Sequence, residues 1–163
     1  MLNRIIHRGP DDHGTFIDSD VAIGMRRLSI IDVEGGKQPI SSEDGSLIIV
    51  FNGEIYNFKE LREGLLKNGH VFKTDSDTEV ILHLYEDMGE EVVKKLRGMF
   101  TFIIYDMKKG KVFVARDFFG IKPLYYLKND DRIIAIASEI KSLLTLPEYK
   151  KEINEEAIFH YLS

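Results

Sequence analysis

The segment that decides the fold is Leu47-Ile48-Ile49-Val50-Phe51-Asn52-Gly53-Glu54-Ile55-Tyr56-Asn57. Its first five residues are apolar and rich in β-branched side chains, which predicts a strand over residues 47–51. Successive side chains of a strand point to opposite faces, so a continuously apolar strand is buried on both. We therefore expect a sheet that is covered on both sides, with a polar group at the end of its buried strand.

That polar group, Asn52-Gly53-Glu54, has two interpretations. The Asn side-chain amide and the Gly N–H are two donors that could converge on one oxygen, as in an oxyanion hole. Alternatively, Asn-Gly forms a tight turn, a structure that this dipeptide favours. A hairpin turn would lead into another strand, whereas the apolar spacing of residues 57–68 predicts a helix. The dipeptide by itself favours the turn, whereas the helix that follows counts against a simple hairpin.

The remaining segments predict strands and helices in separate runs. Strands are predicted at residues 21–28, 47–51, 99–105, 111–115, 124–127 and 132–137. Helices are predicted at residues 57–68, from Ser76 onward, and at 90–96, 138–144 and 154–162. Short polar connections join neighbouring strands, which predicts antiparallel pairing. The fold class is therefore α+β, with two stacked sheets covered by helices.

Composition narrows the classes of function. The chain has 163 residues, which suit one domain, and a formal net charge of 22 − 27 = −5, which disfavours nucleic-acid binding. It has no cysteine, which excludes disulfides, zinc–thiolate sites, iron–sulfur clusters and a cysteine nucleophile within these residues. Apolar runs are too short for a membrane span, so we expect a cytoplasmic protein without a membrane partner. The five histidines lack metal-ligand spacing and there is no Gly-rich phosphate loop, so we expect no metal and no cofactor in this chain.

Four charged residues are candidates for specific roles. An Arg in a strand can hold a carboxylate through two parallel hydrogen bonds, although the local sequence favours a structural ion pair or a solvated side chain for Arg27. Asp77 could bind an ammonium group or occupy the first turn of a helix, and the two roles are compatible. Arg116 and Asp117 follow a strand, and we interpret them as a pair that sets the turn. An Arg, acids and an Asn-Gly pair together suit a glutamine pocket, but their spacing alone does not show that they meet.

Five motifs, in their order along the chain, resemble the glutaminase domain of glutamine-hydrolysing asparagine synthetases. They are His7-Arg8-Gly9-Pro10-Asp11, Arg27-Leu28-Ser29-Ile30-Ile31-Asp32, Asn52-Gly53-Glu54-Ile55-Tyr56-Asn57, Ser76-Asp77-Thr78-Glu79-Val80 and Arg116-Asp117-Phe118-Phe119-Gly120-Ile121-Lys122-Pro123-Leu124-Tyr125-Tyr126. Together they cover nearly the whole chain, and their combination is specific although each alone is weak. That domain is a class II glutamine amidotransferase of the N-terminal-nucleophile hydrolase type.

The resemblance implies a four-layer α/β/β/α sandwich and a role for each matching residue. It implies glutamine binding by Arg27, Leu28, Ile30, Asn52, Gly53, Glu54 and Asp77. Arg27 would hold the α-carboxylate with backbone help from Leu28 and Ile30, the two acids would hold the α-ammonium, and the Asn-Gly pair would form the oxyanion hole. It implies structural roles for Arg8, Gly9, Pro10, Asp11, Arg116 and Asp117.

The resemblance also implies a reaction and partners. In the family, an N-terminal cysteine attacks the amide of L-glutamine, forms a thioester and releases ammonia. The ammonia reaches a synthetase domain, in the same or a separate chain, which uses ATP and Mg to convert aspartate to asparagine. A homodimer is compatible with this scheme.

This sequence departs from the family pattern at its nucleophile. No cysteine precedes His7, so we expect residues 1–150 to form the amidotransferase domain without its first strand and catalytic residue. Residues 151–163 are expected to begin a linker toward an absent synthetase domain. We expect this truncated chain to be inactive alone, and its exposed sheet edges to make it unstable. Alternatives are a non-catalytic glutamine-binding or assembly module, the degenerate domain of a β-lactam-synthetase-like enzyme, and a sugar amidotransferase.

Overall fold

The computed structural model describes residues 1–28 and 37–163. The strands within these ranges are β1 (Asp12–Ile17), β2 (Ala22–Arg27), β3 (Ile40–Ser41), β4 (Leu47–Ile55), β5 (Gly98–Asp106), β6 (Lys111–Arg116), β7 (Tyr125–Asn129) and β8 (Arg132–Ala137). The α-helices are α1 (Phe58–Lys67), α2 (Asp77–Met88), α3 (Ile140–Leu143) and α4 (Glu155–Leu162). Two 3₁₀ helices span Leu2–Arg8 and Gly89–Lys94.

Three antiparallel sheets are described. The largest has the order β3-β4-β5-β6, while β1-β2 and β7-β8 are separate two-stranded sheets. Strand β4 pairs along its whole length with β5, from Leu47 opposite Asp106 to Ile55 opposite Gly98. The hairpins that the sequence predicts around residues 106–110 and 128–131 are therefore confirmed.

Strand β4 is buried on both faces, as its apolar run predicts. Leu47, Ile49 and Phe51 belong to one core, which is shared with α1 and α2. Ile48 and Val50 belong to a second core, which is shared with β2. The alternation follows from the two-residue period of a strand, and it makes β4 the wall between two packed layers.

Helix α2 covers the first face of the large sheet and is anchored firmly. Its residues from Asp77 to Tyr85 are all buried. Each fully buried aliphatic side chain contributes about 1.5–3 kcal/mol to folding, so Val80, Ile81 and Leu82 hold the start of this helix in place. Helix α1 packs beside α2 through Leu65.

The other face of the large sheet packs against the β1-β2 sheet, and α3 contacts both β7 and β8. The order of helices, large sheet, two hairpins and helix is the α/β/β/α arrangement. The α+β sandwich that the sequence predicts is thereby confirmed.

Several local predictions are corrected. Strand β4 does not end at Phe51 but continues to Ile55, with Asn52 opposite Thr101 and Gly53 opposite Phe100. The turn interpretation of Asn-Gly is therefore wrong, because the neighbouring strand β5 holds these residues in an extended conformation. Strands β1 and β3 were not predicted, and the helix predicted at residues 90–96 is a 3₁₀ helix.

Candidate functional site

A cavity of about 1070 Å³ lies between the large sheet and the two hairpins. Its walls come from β2, β4, β8, the start of α2 and the first 3₁₀ helix. Six predicted glutamine-binding residues line it, namely Arg27, Leu28, Asn52, Gly53, Glu54 and Asp77. The seventh, Ile30, lies outside the described residues. Residues that are 50 positions apart in sequence thus meet at one cavity, which the spacing alone could not show.

Arg27 ends β2 and is 8% exposed. Its backbone is held by the motif that precedes β1, because Asp11 N donates to Arg27 O over 3.2 Å. Gly9 packs so closely on β2 that a Cβ there would lie 2.3 Å from Arg27 N. This close approach requires a glycine, and it explains why Gly9 accompanies the arginine. Leu28, the next residue, is exposed.

Arg8 and His7 join this segment to the residue that precedes α3. Arg8 Nη1 lies 3.4 Å from Glu139 Oε1, and His7 Nε2 lies 2.8 Å from the same oxygen. Glu139 precedes α3, so these contacts join the first 3₁₀ helix to α3. Pro10 is exposed, and the Asp11 N–H supplies the hydrogen bond to Arg27 O described above.

Asn52 and Glu54 occupy the cavity face of β4. They continue the alternation of Ile48 and Val50, which lie on the same face, while Ile55 returns to the helix-covered core. Gly53 lies between them, and a Cβ there would come 2.1 Å from Met99 O and 2.7 Å from the Phe100 Cα. The pairing of β4 with β5 therefore requires glycine at this position and fixes the two polar side chains on either side of it.

Asp77 is 4% exposed at the first position of α2. Its Oδ2 accepts a hydrogen bond from Ile55 N over 3.0 Å, which joins the helix to the end of β4. Burial raises the pKa of Asp77, hydrogen bonds from Ile55 N and Thr78 N lower it, and the charge of Glu54 raises it further, so the pKa lies above its ordinary value. Two carboxylates beside one cavity favour a cation there.

Gln38 was not among the predicted site residues. Its side chain lines the cavity, where Oε1 accepts from Phe51 N over 2.7 Å and Nε2 donates to Thr78 Oγ1 over 3.2 Å. It therefore links β4 to the start of α2 beside Asp77. No motif or spacing marks this glutamine, because both of its contacts are distant in sequence.

Arg116 and Asp117 set the turn after β6, but each binds backbone groups of the loop. Arg116 Nε donates to Lys122 O over 2.6 Å. Asp117 accepts from Ile121 N at 2.9 Å, Lys122 N at 3.0 Å and Phe100 N at 3.2 Å. Both side chains hold the turn through separate contacts to the backbone. The contact to Phe100 also fixes β5 opposite Gly53.

Ser76 caps the start of α2, where its side chain accepts from Thr78 N over 3.2 Å. Glu79 instead reaches back to the preceding loop, where it accepts from the backbone N–H groups of Lys73 and Thr74 at 2.8 and 2.7 Å. Burial raises the pKa of Glu79, but the contacts with His83, Lys73 and Thr74 outweigh it and bring the pKa to about 2.

We expect Glu79→Gln to destabilise the chain by about 2–3 kcal/mol at pH 7, because the folded state binds the charged form. The folded pKa of about 2 lies below the ordinary value of 4.5, so this stabilisation is complete above pH 4.5. It is lost as the pH falls from 4.5 toward 2. Urea unfolding across this pH range should show the difference in unfolding free energy between the parent and Glu79→Gln becoming smaller. The exposed Glu91→Gln serves as control. A gap that stays constant with pH would contradict the assignment.

No helix among the described residues is long and apolar enough to cross a membrane.

Several known proteins are similar to this chain in sequence. A model of the glutamine amidotransferase domain matches residues 1–163. The glutamine-hydrolyzing asparagine synthetase 1 of Bacillus subtilis is 52% identical over 163 residues, which are 100% of this chain and 26% of that protein. The probable glutamine-hydrolyzing asparagine synthetase of Dictyostelium discoideum is 44% identical over 144 residues, which are 88% of this chain and 26% of that protein. The chain thus spans about a quarter of the length of these relatives.

Two solved structures are similar as well. The glutamine phosphoribosylpyrophosphate amidotransferase of B. subtilis has a TM-score of 0.55 and 31% identity, over 64% of this chain and 25% of that one. An allosteric regulatory enzyme of purine biosynthesis has a TM-score of 0.54 and 32% identity, again over 64% of this chain and 25% of that one. These neighbours confirm the N-terminal-nucleophile hydrolase type of sandwich. With the family match over all 163 residues, the chain belongs to the glutamine amidotransferase domain family.

Proposed function

We propose that this chain forms the glutamine-binding part of an amidotransferase that supplies ammonia for the ATP-dependent conversion of aspartate to asparagine. The observation that carries the proposal is the single cavity lined by Arg27, Asn52, Gly53, Glu54 and Asp77. The relatives that are named for glutamine-hydrolysing asparagine synthesis support the choice of acceptor.

The charges around the cavity match those of a free α-amino acid. Such a ligand carries a carboxylate, for which a guanidinium is the matching bidentate donor, and an ammonium, which a carboxylate attracts. Arg27 supplies the first, and Glu54 with Asp77 supplies the second. Asp77 is buried and tied to β4, so it offers a fixed position for the ammonium.

Asn52 and Gly53 would stabilise the oxygen of the scissile amide. An oxyanion hole needs rigid donors that are in place before charge develops. The register between β4 and β5 provides this rigidity, since Gly53 fits against Phe100 without room for a side chain. The polarised carbonyl would then be open to a nucleophile.

The nucleophile has to come from outside these residues, because the 163 residues contain no cysteine. We therefore propose that this chain by itself binds glutamine without hydrolysing it, as a non-catalytic module would. ATP and Mg would act in a synthetase domain that this chain does not include. The cavity is bordered by β2 and β8, one strand of each hairpin, and it offers a place for a further segment that carries the cysteine.

Titration calorimetry with L-glutamine tests the binding step. We expect one glutamine per chain, and Arg27→Ala should weaken binding about 100-fold, since a bidentate charged contact is lost. Arg132→Ala, at an exposed position on β8, is the matched control and should bind as the parent does. Equal affinity of Arg27→Ala and the parent would overturn the proposed pocket.

Ammonia release tests the catalytic step. The chain alone should release no ammonia from glutamine, whereas a fusion that adds a leading segment with an N-terminal cysteine should release it. Binding without hydrolysis in both proteins would favour the non-catalytic module. Ammonia release by the unextended chain would show that a residue within it acts as the nucleophile, and this outcome would refute the proposal.

A further inference from the structure

Two histidines and a glutamate converge beside α2. His83 and Glu86 lie three positions apart on this helix, which places them on the same face. His70 reaches them from the loop that follows α1. Its Nδ1 lies 3.2 Å from His83 Nδ1 and 3.6 Å from Glu86 Oε2, while His83 Nδ1 lies 2.7 Å from the same Glu86 oxygen.

These three atoms have the spacing of metal ligands. Zinc–nitrogen bonds of about 2.0–2.1 Å in a tetrahedron place ligand atoms about 3.3 Å apart. The three separations of 3.2, 3.6 and 2.7 Å bracket that value. A search of the described residues for three or more His, Cys, Asp or Glu side chains with ligand atoms within 4.8 Å of one another finds this group. Two imidazoles and a carboxylate form the donor set of a three-ligand zinc site.

Each imidazole also has a carboxylate on its far nitrogen. His70 Nε2 lies 2.9 Å from Asp87 Oδ1, so the ring carries its proton there and turns the Nδ1 lone pair toward the cluster. His83 Nε2 faces Glu79 Oε1 at 3.7 Å. Such outer carboxylates orient metal-binding histidines and increase their basicity.

The arrangement without a metal leaves hydrogen bonding incomplete. His83 Nδ1 can carry one proton, yet His70 Nδ1 and Glu86 Oε2 both lie within hydrogen-bond distance of it. His83 is 3% exposed, and its Nε2 is buried without a hydrogen-bond partner. A metal at the three converging atoms would accept the lone pairs of both Nδ1 atoms and of Glu86 Oε2, and the His83 proton would then lie on Nε2, which faces Glu79.

A path for entry exists, because the side chains of His70 and Glu86 are 17% and 29% exposed. We propose that His70, His83 and Glu86 bind one divalent first-row transition metal ion, with zinc as the best fit, and that a water completes the coordination. The site departs from the expectation of a metal-free chain. It would fasten the loop after α1 to α2, about 9 Å further along this helix than Asp77. It stands independently of the proposed glutamine site.

Metal titration of chelator-stripped, untagged chain tests the site. We expect one Zn²⁺ per chain by calorimetry, and saturating Zn²⁺ should raise Tm by about 5 °C or more. Co²⁺ as a spectroscopic probe should give the intense visible bands of a tetrahedral ion. His70→Ala and Glu86→Gln should each weaken binding at least about 10-fold, since each removes a direct ligand. Both residues are partly exposed, so these variants should fold.

The exposed histidines provide the controls. His13→Ala and His160→Ala should bind Zn²⁺ as the parent does. The rival structure is an imidazolium at His83, whose pKa burial lowers and whose contacts with Glu79 and Glu86 raise above the ordinary value. The metal site would be overturned if the parent chain bound no Zn²⁺, or if His70→Ala and Glu86→Gln bound it as well as the parent does. The imidazolium at His83 would then explain the cluster.

Discussion

Replacing Asp77 by asparagine is expected to abolish most glutamine binding while making the chain more stable. The carboxylate is 4% exposed and its pKa is raised, so its charge costs free energy in the folded state at neutral pH. The positive end of α2 favours that charge, but the raised pKa shows that burial outweighs it. Asparagine keeps an oxygen that can accept from Ile55 N, and it carries no charge.

We expect Asp77→Asn to gain about 1 kcal/mol, or about 2–4 °C in Tm, and to lose glutamine affinity about 10–100-fold. The gain should depend on pH in a defined direction. A raised folded pKa means that the parent loses stability as the pH rises from 3.8 through that pKa. The stability advantage of Asp77→Asn over the parent should therefore grow across this pH range. Calorimetric Tm and glutamine titration give the two quantities, with the exposed Asp131→Asn as control.

A variant that loses both stability and binding would show that the carboxylate is structural. A variant that gains stability and still binds glutamine normally would remove Asp77 from the pocket. A higher Tm together with a lower glutamine affinity is the result that agrees with a buried charge that is kept for a ligand.

Replacing Gly53 by alanine is expected to disrupt the junction between β4 and β5. The added Cβ would lie 2.1 Å from Met99 O and 2.7 Å from the Phe100 Cα. Both are backbone atoms in a paired strand, which cannot move aside as the end of a flexible side chain could. We expect a loss of about 3 kcal/mol or more, with Tm lower by about 6–12 °C.

Gly64→Ala is the matched control for this substitution. Gly64 lies within α1, and a Cβ there would have no heavy atom within 4 Å. Alanine is the better helix former, so this variant should gain about 0.5–1 kcal/mol. Denaturant unfolding measures both variants. If Gly53→Ala were as stable as the parent, the register between β4 and β5 would not constrain the site as we describe.

The sequence predicted much of the fold because its signals are local. The apolar run of residues 47–51 identified a strand buried on both faces, and two cores on either side of β4 confirm it. The polar connections near residues 106–110 and 128–131 identified two hairpins. These features follow from the periodicity of side chains and from turn chemistry, which are written in neighbouring residues.

Asn52-Gly53 shows where local signals failed. The dipeptide favours a turn, but pairing with β5 extends it as a strand, since Gly53 lies opposite Phe100. A contact 47 positions away outweighed the local preference. Gln38 was missed for the same reason, because its hydrogen bonds reach Phe51 and Thr78.

The sequence by itself determined the class of fold, the chain's family motifs and the absence of cysteine. Only the tertiary structure decided which polar groups meet, because strand register and helix packing join residues that are distant along the chain. It brought Arg27, Asn52 and Asp77 to one cavity, and it brought His70 to His83 on another face of α2. Periodicity records how a segment is buried, whereas chemistry depends on which segments are packed together.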